Sequence, residues 1–295
     1  MSGTGQPPPL SSPLNPEQVK AQQRQIWDNA AKGWQAWWET FEQGAQKVSD
    51  KIVEMADIKS NDKVLDIATG IGEPSVTAAK RVKPNGKVWA TDISPQMIAI
   101  AKSRAKSLGL DNIIEFRESD AEKLDFPGGS FNAVLSRWGL MFLPDLPSAL
   151  TRIREMLAPG GKLAAAVWPA PFKVPIIELA FATVRKELNV PPPPPGTPGP
   201  FALSDTEALK RSFSQAGFKD IQVETIYATF GFDSAESYTK FQQQINAPIQ
   251  VMLANQTEVR KKEIWDSVTD AVSRYADSHG RVNMDNEVIC MAGRS

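Results

Sequence analysis

The chain has 295 residues, with 33 Lys+Arg against 34 Asp+Glu and a formal net charge of -1. The length fits one large domain or a core with a smaller appended unit, and the even charge excludes nucleic-acid binding by broad phosphate neutralisation. One Cys (Cys290) and one His (His279) exclude an internal disulfide and a Cys/His zinc cluster, while eight Trp stand out against that poverty.

Residues 1–16 hold Gly, Ser and five prolines, and lack the basic start and apolar stretch of a signal peptide. They read as a disordered leader. No run of eighteen apolar residues occurs, so no membrane span is expected and cytoplasmic is the default location. Residues 17–60 read as an N-terminal helical unit. At 100° per residue Trp27, Trp34, Trp38, Phe41, Ala45 and Ile52 share one stripe, with Trp37 at its edge. Gly33 and Gly44 are expected to break it into two or three helices.

From residue 63 the pattern alternates. Strands are expected over 64–68, 87–91, 113–117, 131–136 and 162–168, and helices over 74–82, 95–108 and 147–157. Pro74 is placed at the first helical position and Ser94 as a cap. The alternation predicts an α/β fold with a doubly wound, Rossmann-like, mostly parallel sheet. Downstream come a helix over 174–188, a stiff proline-rich connector over 191–200, and a helix over 204–216. A strand over 221–232, helices over 235–245 and 257–275, and a short last strand over 288–292 complete the chain. Residues 61–169 then form the core, 201–232 and 281–295 complete its sheet, and 170–200 with 233–280 form a helical cap.

Asp66-Ile67-Ala68-Thr69-Gly70-Ile71-Gly72 lies where the first strand becomes a helix. Glycines there let the backbone turn and approach a ligand beside free helix N–H groups. The pattern lacks the third glycine of the dinucleotide fingerprint. A carboxylate at the strand end would repel a pyrophosphate but suits a ligand with a cationic amine. Asp92, twenty residues after Gly72, ends the second strand, where an acidic side chain can accept from ribose hydroxyls.

These residues resemble a family. Residues 64–168 look like a class I S-adenosylmethionine-dependent methyltransferase, most similar to the small-molecule type that includes quinone C-methyltransferases. The Gly-rich turn resembles the first motif, with Ala68 for its usual first glycine. Ala90-Thr91-Asp92-Ile93-Ser94 resembles the ribose-binding motif, Asp120-Ala121 the adenine contact, and Leu135-Ser136-Arg137-Trp138 the segment near the methionyl end. Because Ala disfavours positive φ, an ordinary backbone is expected at Ala68. The resemblance implies S-adenosylmethionine as cofactor and no metal. It implies that Asp66 holds the amine, directly or through water, and that Thr69, Gly70, Ile71 and Gly72 pack against the amino acid and ribose. It further implies that Asp92 clamps the ribose, Ile93 and Met97 sandwich the adenine, Asp120 and Ala121 read its edge, and Ser136 and Arg137 line the methionine end.

The expected reaction is in-line transfer of a sulfonium methyl group to a small, largely apolar or aromatic acceptor. The N-terminal helical unit is read as a lid. Trp34 and Trp38 from it, with Trp138 and Met141, are the candidate acceptor contacts. His279 is the one imidazole available as a base, although Asp277-Ser278-His279-Gly280 reads as a surface turn. Cys290, in an apolar run, reads as a core thiol, and Arg260-Lys261-Lys262 as a solvated helix face. A nicotinamide-dependent oxidoreductase and a non-catalytic binder of the same cofactor remain as alternatives. The acceptor's identity and the oligomeric state are not legible.

Overall fold

The computed structural model describes residues 16–194 and 196–295, so the leader expected over 1–16 falls almost wholly outside it. Seven strands form one sheet: β1 (Lys63–Ile67), β2 (Lys87–Asp92), β3 (Ile114–Glu118), β4 (Phe131–Arg137), β5 (Leu157–Val167), β6 (Lys219–Phe232) and β7 (Val282–Arg294). Their order is β3-β2-β1-β4-β5-β7-β6. The first five run parallel, and β7 enters antiparallel between β5 and β6. The order reverses between β1 and β4, which opens a ligand crevice at the carboxyl ends of those strands.

The central strands are apolar on both faces because both faces are covered. Successive residues serve two separate cores. Val64, Ala133, Leu135, Ala164 and Ala166 pack in one. Leu65, Val134, Leu163, Ala165 and Val167 pack in the other. This is the period of two that a pleated strand imposes. Cys290 on β7 is buried in the first core, as expected of a core thiol, and burial pushes its thiol up to about 12.

The helices are α1 (Pro16–Met55), α2 (Ser75–Val82), α3 (Pro95–Ser107), α4 (Leu146–Met156), α5 (Pro175–Leu188), α6 (Thr206–Gln215), α7 (Ala235–Ile245), α8 (Ala247–Leu253) and α9 (Glu258–Ser273). Ser94 caps α3 by accepting from the Met97 N–H. Two boundaries differ from expectation. Pro74 precedes α2 rather than opening it, and α6 begins at Thr206 rather than 204, capped by Asp205 through the Glu207 and Ala208 N–H groups. The short α8 and the full thirteen-residue β7 were not anticipated. On α9 each residue of the basic run Arg260-Lys261-Lys262 meets an acidic partner on the same helix: Glu263, Glu258 and Asp266 respectively. Among the described residues no helix is long and apolar enough to cross a membrane.

The largest departure is α1, which is one unbroken helix of 40 residues rather than two or three. Its glycines mark close approaches instead of breaks. A Cβ at Gly33 would lie 2.0 Å from the Gln244 carbonyl oxygen of α7, and one at Gly44 would lie 2.4 Å from the Thr229 carbonyl oxygen of β6. Packing at those points outweighs a propensity cost of about 1 kcal/mol per glycine. Gly33→Ala therefore separates sign from sign. In a free helix it would stabilise by about 1 kcal/mol. Here overpacking is expected to destabilise by about 1–3 kcal/mol, read from urea unfolding midpoints.

Candidate active site

Both strands at the reversal point end in a left-handed residue that is not glycine. Ala68 after β1 has φ 58° and Trp138 after β4 has φ 59°. The expectation of an ordinary backbone at Ala68 is thus corrected. The turn there delivers the Thr69 N–H to the Thr91 carbonyl at 2.9 Å, and the turn at Trp138 delivers its N–H to the Ala166 carbonyl at 2.8 Å. Each costs about 1–2 kcal/mol, and such strain persists only where the surroundings determine it. The Ser136 hydroxyl ties the two strand ends together by donating to the Ile67 carbonyl at 3.0 Å.

A cavity of about 240 Å³ opens over these strand ends. Of the residues expected at the cofactor, Ala68, Thr69, Gly70, Ile71, Asp92 and Ile93 line it. So do Met97, Asp120, Ala121 and Arg137, and so do the acceptor candidates Trp34, Trp138 and Met141. Over Gly70, at φ 56°, a Cβ would meet nothing within 4 Å, so the loop presents bare backbone to the cavity.

Four residues expected at the cofactor or acceptor do not line it. Gly72 packs toward Ala101, and Ser136 is spent on the strand ends. Trp38 faces Arg104, whose guanidinium lies 4.2 Å from its ring centre. Asp66 is fully buried, with Oδ2 accepting from the Ser75 hydroxyl at 2.6 Å and Oδ1 without a hydrogen-bond partner. His279 is exposed in the turn before β7, where its N–H donates to Asp277 at 2.8 Å, so it does not reach the cavity.

Asp92 is nearly buried. One oxygen accepts from the Gly70 N–H at 2.8 Å and the other from the Ser94 N–H at 2.9 Å. Burial pushes its carboxyl up to about 6 against those donors. Each oxygen retains a further lone pair for a ligand hydroxyl. Asp120 accepts from the Glu122 N–H at 2.9 Å and from Lys20 Nζ, also at 2.9 Å.

Lys20 belongs to α1, which roofs the cavity with Trp27, Trp34, Phe41 and Glu42. Its first half is tied down by polar contacts. Besides Lys20, Gln23 donates to the Phe142 carbonyl at 2.7 Å, and Asp28 accepts from the Ser94 hydroxyl at 2.6 Å. Farther along, Glu42 holds Arg137 in a two-pronged buried pair, and Ser49 accepts from the same guanidinium at 3.0 Å. Sequence reasoning missed Lys20, Glu42 and Glu73 as cavity residues. Glu73 had an available signal in its position directly after the glycine turn.

Away from the acidic end the cavity widens into an aromatic chamber. Trp138 stacks on Trp168 with ring centres 4.4 Å apart, and Phe41 lies edge-on to Trp138 at 5.6 Å. Ile176 and Phe181 of α5 and Phe241 of α7 add apolar walls. Polarity there comes from Gln242 and Asn246. Gln242 donates to the Ile176 carbonyl at 2.6 Å and accepts from Asn246 at 3.1 Å.

Residues 64–161 match the family model described as a methyltransferase domain. Over this segment the chain is similar to methyltransferase domains. The chain is 37% identical over 123 residues to a demethylmenaquinone methyltransferase of Thermus thermophilus, covering 42% of this chain and 54% of that one. It is 33% identical over 153 residues to a ubiquinone/menaquinone biosynthesis C-methyltransferase of Neisseria meningitidis, covering 52% and 62%. It therefore spans little more than half the length of these curated relatives. A phosphoethanolamine N-methyltransferase of Haemonchus contortus, solved with S-adenosylhomocysteine, shares the fold. The TM-score is 0.58 at 18% identity, covering 92% of this chain and 60% of that one. The matched segment includes the glycine turn and Asp92, where a nicotinamide-binding protein had been the alternative.

Burial pushes the Asp66 carboxyl up to about 7. The stability this neutral group contributes is full below its unfolded pKa of about 4 and is lost as pH rises through the folded value. The urea midpoint of the wild-type protein should therefore fall across that window. Asp66→Asn, which cannot ionise, is expected to flatten this part of the profile.

Proposed function

We propose that the protein transfers a methyl group from S-adenosylmethionine to a small, neutral, largely apolar or aromatic acceptor, with a quinone-like ring as the leading class. The observation that carries this reading is one continuous cavity. It runs from acidic strand-end residues beside a bare glycine turn into an aromatic chamber, under a single helix. The names of the two curated relatives, both quinone-pathway methyltransferases, support the acceptor class.

The residues present fit the cofactor. Asp92 keeps free lone pairs for the ribose hydroxyls, Ile93 and Met97 offer apolar faces for the base, and Asp120 with the Ala121 N–H suits an adenine edge. Bound there, S-adenosylmethionine supplies an activated methyl group on a sulfonium, open to in-line displacement. The chain's own contribution is alignment and exclusion of water. Phe41, Trp34 and Trp138 form walls that restrict an aromatic acceptor, and fixed orientation is worth about 7–11 kcal/mol in favourable cases. Residues 170–200 and 233–280 act as the cap that shapes the chamber.

The walls named for the chamber, Phe41, Trp138, Trp168, Ile176, Phe181 and Phe241, are apolar or aromatic. They favour an acceptor that reacts at an electron-rich carbon over one that needs a proton taken by a side chain.

Calorimetry with S-adenosylhomocysteine and with NADH tests the cofactor, and the expected result is binding of the first alone. Asp92→Ala should weaken S-adenosylhomocysteine by about tenfold or more, the value of a charge-assisted hydrogen bond. An unchanged affinity would remove Asp92 from the site. A screen of hydroquinones, phenols and amines reads the acceptor class, with transfer to amines alone overturning it. In the same assay His279→Ala is expected to match the wild type, because His279 is exposed outside the cavity.

A further inference from the structure

We propose that Glu73, rather than Asp66, receives the α-ammonium group of the cofactor's amino acid end. The proposal rests on the methyltransferase reading above and adds a binding residue to it.

Glu73 follows the glycine turn directly, is 6% exposed and lines the cavity beside Thr69, Glu42 and Arg137. Its two oxygens are used unequally. Oε2 accepts from the Thr77 hydroxyl at 2.8 Å and the Thr77 N–H at 3.3 Å. Oε1 accepts no hydrogen bond, and its nearest cation is Arg104 at 4.0 Å. Arg104 is committed elsewhere, donating to the Ile71 carbonyl at 2.5 Å and lying over the Trp38 ring.

The neighbouring charged groups are either paired or turned away from the cavity. Arg137 is held by both oxygens of Glu42. Asp66 turns to Ser75 and does not line the cavity. Glu73 Oε1 is therefore a carboxylate oxygen on the cavity wall that no protein group donates to, on the side where the amino acid end would lie. A carboxylate so placed gains from a donor that arrives with the ligand. An ammonium brings three donors and a positive charge, whereas the ligand's carboxylate would be repelled by Glu73 and Glu42 alike. The Gln side chain has nearly the shape of Glu and can still accept from Thr77, so Glu73→Gln removes the charge with little change of packing.

The test is calorimetry on wild-type and Glu73→Gln protein with three probes. These are S-adenosylhomocysteine, its analogue lacking the α-amino group, and 5′-methylthioadenosine, which lacks the whole amino acid end. The variant should bind S-adenosylhomocysteine about 10- to 100-fold more weakly, in line with a hydrogen bond to a charged group. Its affinity for 5′-methylthioadenosine should stay within about twofold, a change of under half a kcal/mol. In the wild type, deleting the amino group should cost the same factor, and in the variant it should cost nothing. Equal loss for all three probes would mean that Glu73 only supports the loop, and an unchanged affinity for S-adenosylhomocysteine would return the ammonium to another group. Either result overturns the proposal and leaves the methyltransferase reading intact. If the wild type binds none of the three, both fall. Should the Gln variant fail to fold, Glu73→Asp withdraws the carboxylate by one methylene and is held to the same selective loss.

Discussion

Arg137 can end a central strand in the interior only because Glu42 arrives to meet it. Taking a guanidinium out of water costs several kcal/mol, and the cost is offset only by close, well-aligned partners. A helix supplies them: both oxygens of Glu42, then Ser49 two turns on. Because these groups sit on one face of α1, meeting Arg137 fixes the rotation and height of that helix over the strand ends. The position of Phe41, Trp34 and Trp27 as a roof follows from it. The same pair neutralises the cavity wall at that point.

The two halves of α1 are held by different physics. Ala45, Val48, Ile52 and Val53 are buried in the core, and their hold is that of apolar area removed from water. Before residue 30, apart from Trp27 packed edge-on against Phe142, the hold comes from ion pairs and hydrogen bonds to the rim of the cavity, from Lys20, Gln23 and Asp28. The roof is thus anchored at one end by the core and at the other by groups that also serve the site. Asp120 is held by Lys20, and Ser94, which caps α3, is held by Asp28. The aromatic chamber adds Ile176 and Phe181 of α5 and Phe241 of α7, from outside the parallel core, to Trp138 and Trp168 at its strand ends.

Much of this was legible in the sequence. The five parallel strands announced themselves as short apolar runs between turn residues, and Asp92 was placed by its distance from Gly72 and its position at a strand end. What escaped prediction depended on partners far away in the chain. Gly33 and Gly44 read as helix breakers because nothing local shows that Gln244 and Thr229 press against them. Ala68 read as ordinary backbone because the penalty of positive φ is local, whereas the hydrogen bond to Thr91 that the turn makes is not. The direction of the Asp66 carboxylate, toward Ser75, is decided by the α2 helix packing behind it. Trp38 shared the stripe of Trp34, yet the presence of Arg104 on α3 sent it to a different surface.

The insertion of β7 between β5 and β6 bears on how the sheet assembles. The free edge of β5 cannot be satisfied by any strand near it in the chain, since Leu163 pairs with Gly293 and Val167 with Ile289. Until residues 282–294 are in place, an apolar strand from the middle of the sheet has one row of backbone donors and acceptors open, the arrangement most prone to pairing with another chain. β6 shares this dependence, because its partner is also β7. The parallel half can close on itself through short connections. The β5–β7 contacts span more than a hundred residues, and such contacts slow folding because the loop must be closed before they form. The order of strands that creates the ligand crevice thus also divides the molecule into an early half and a late one.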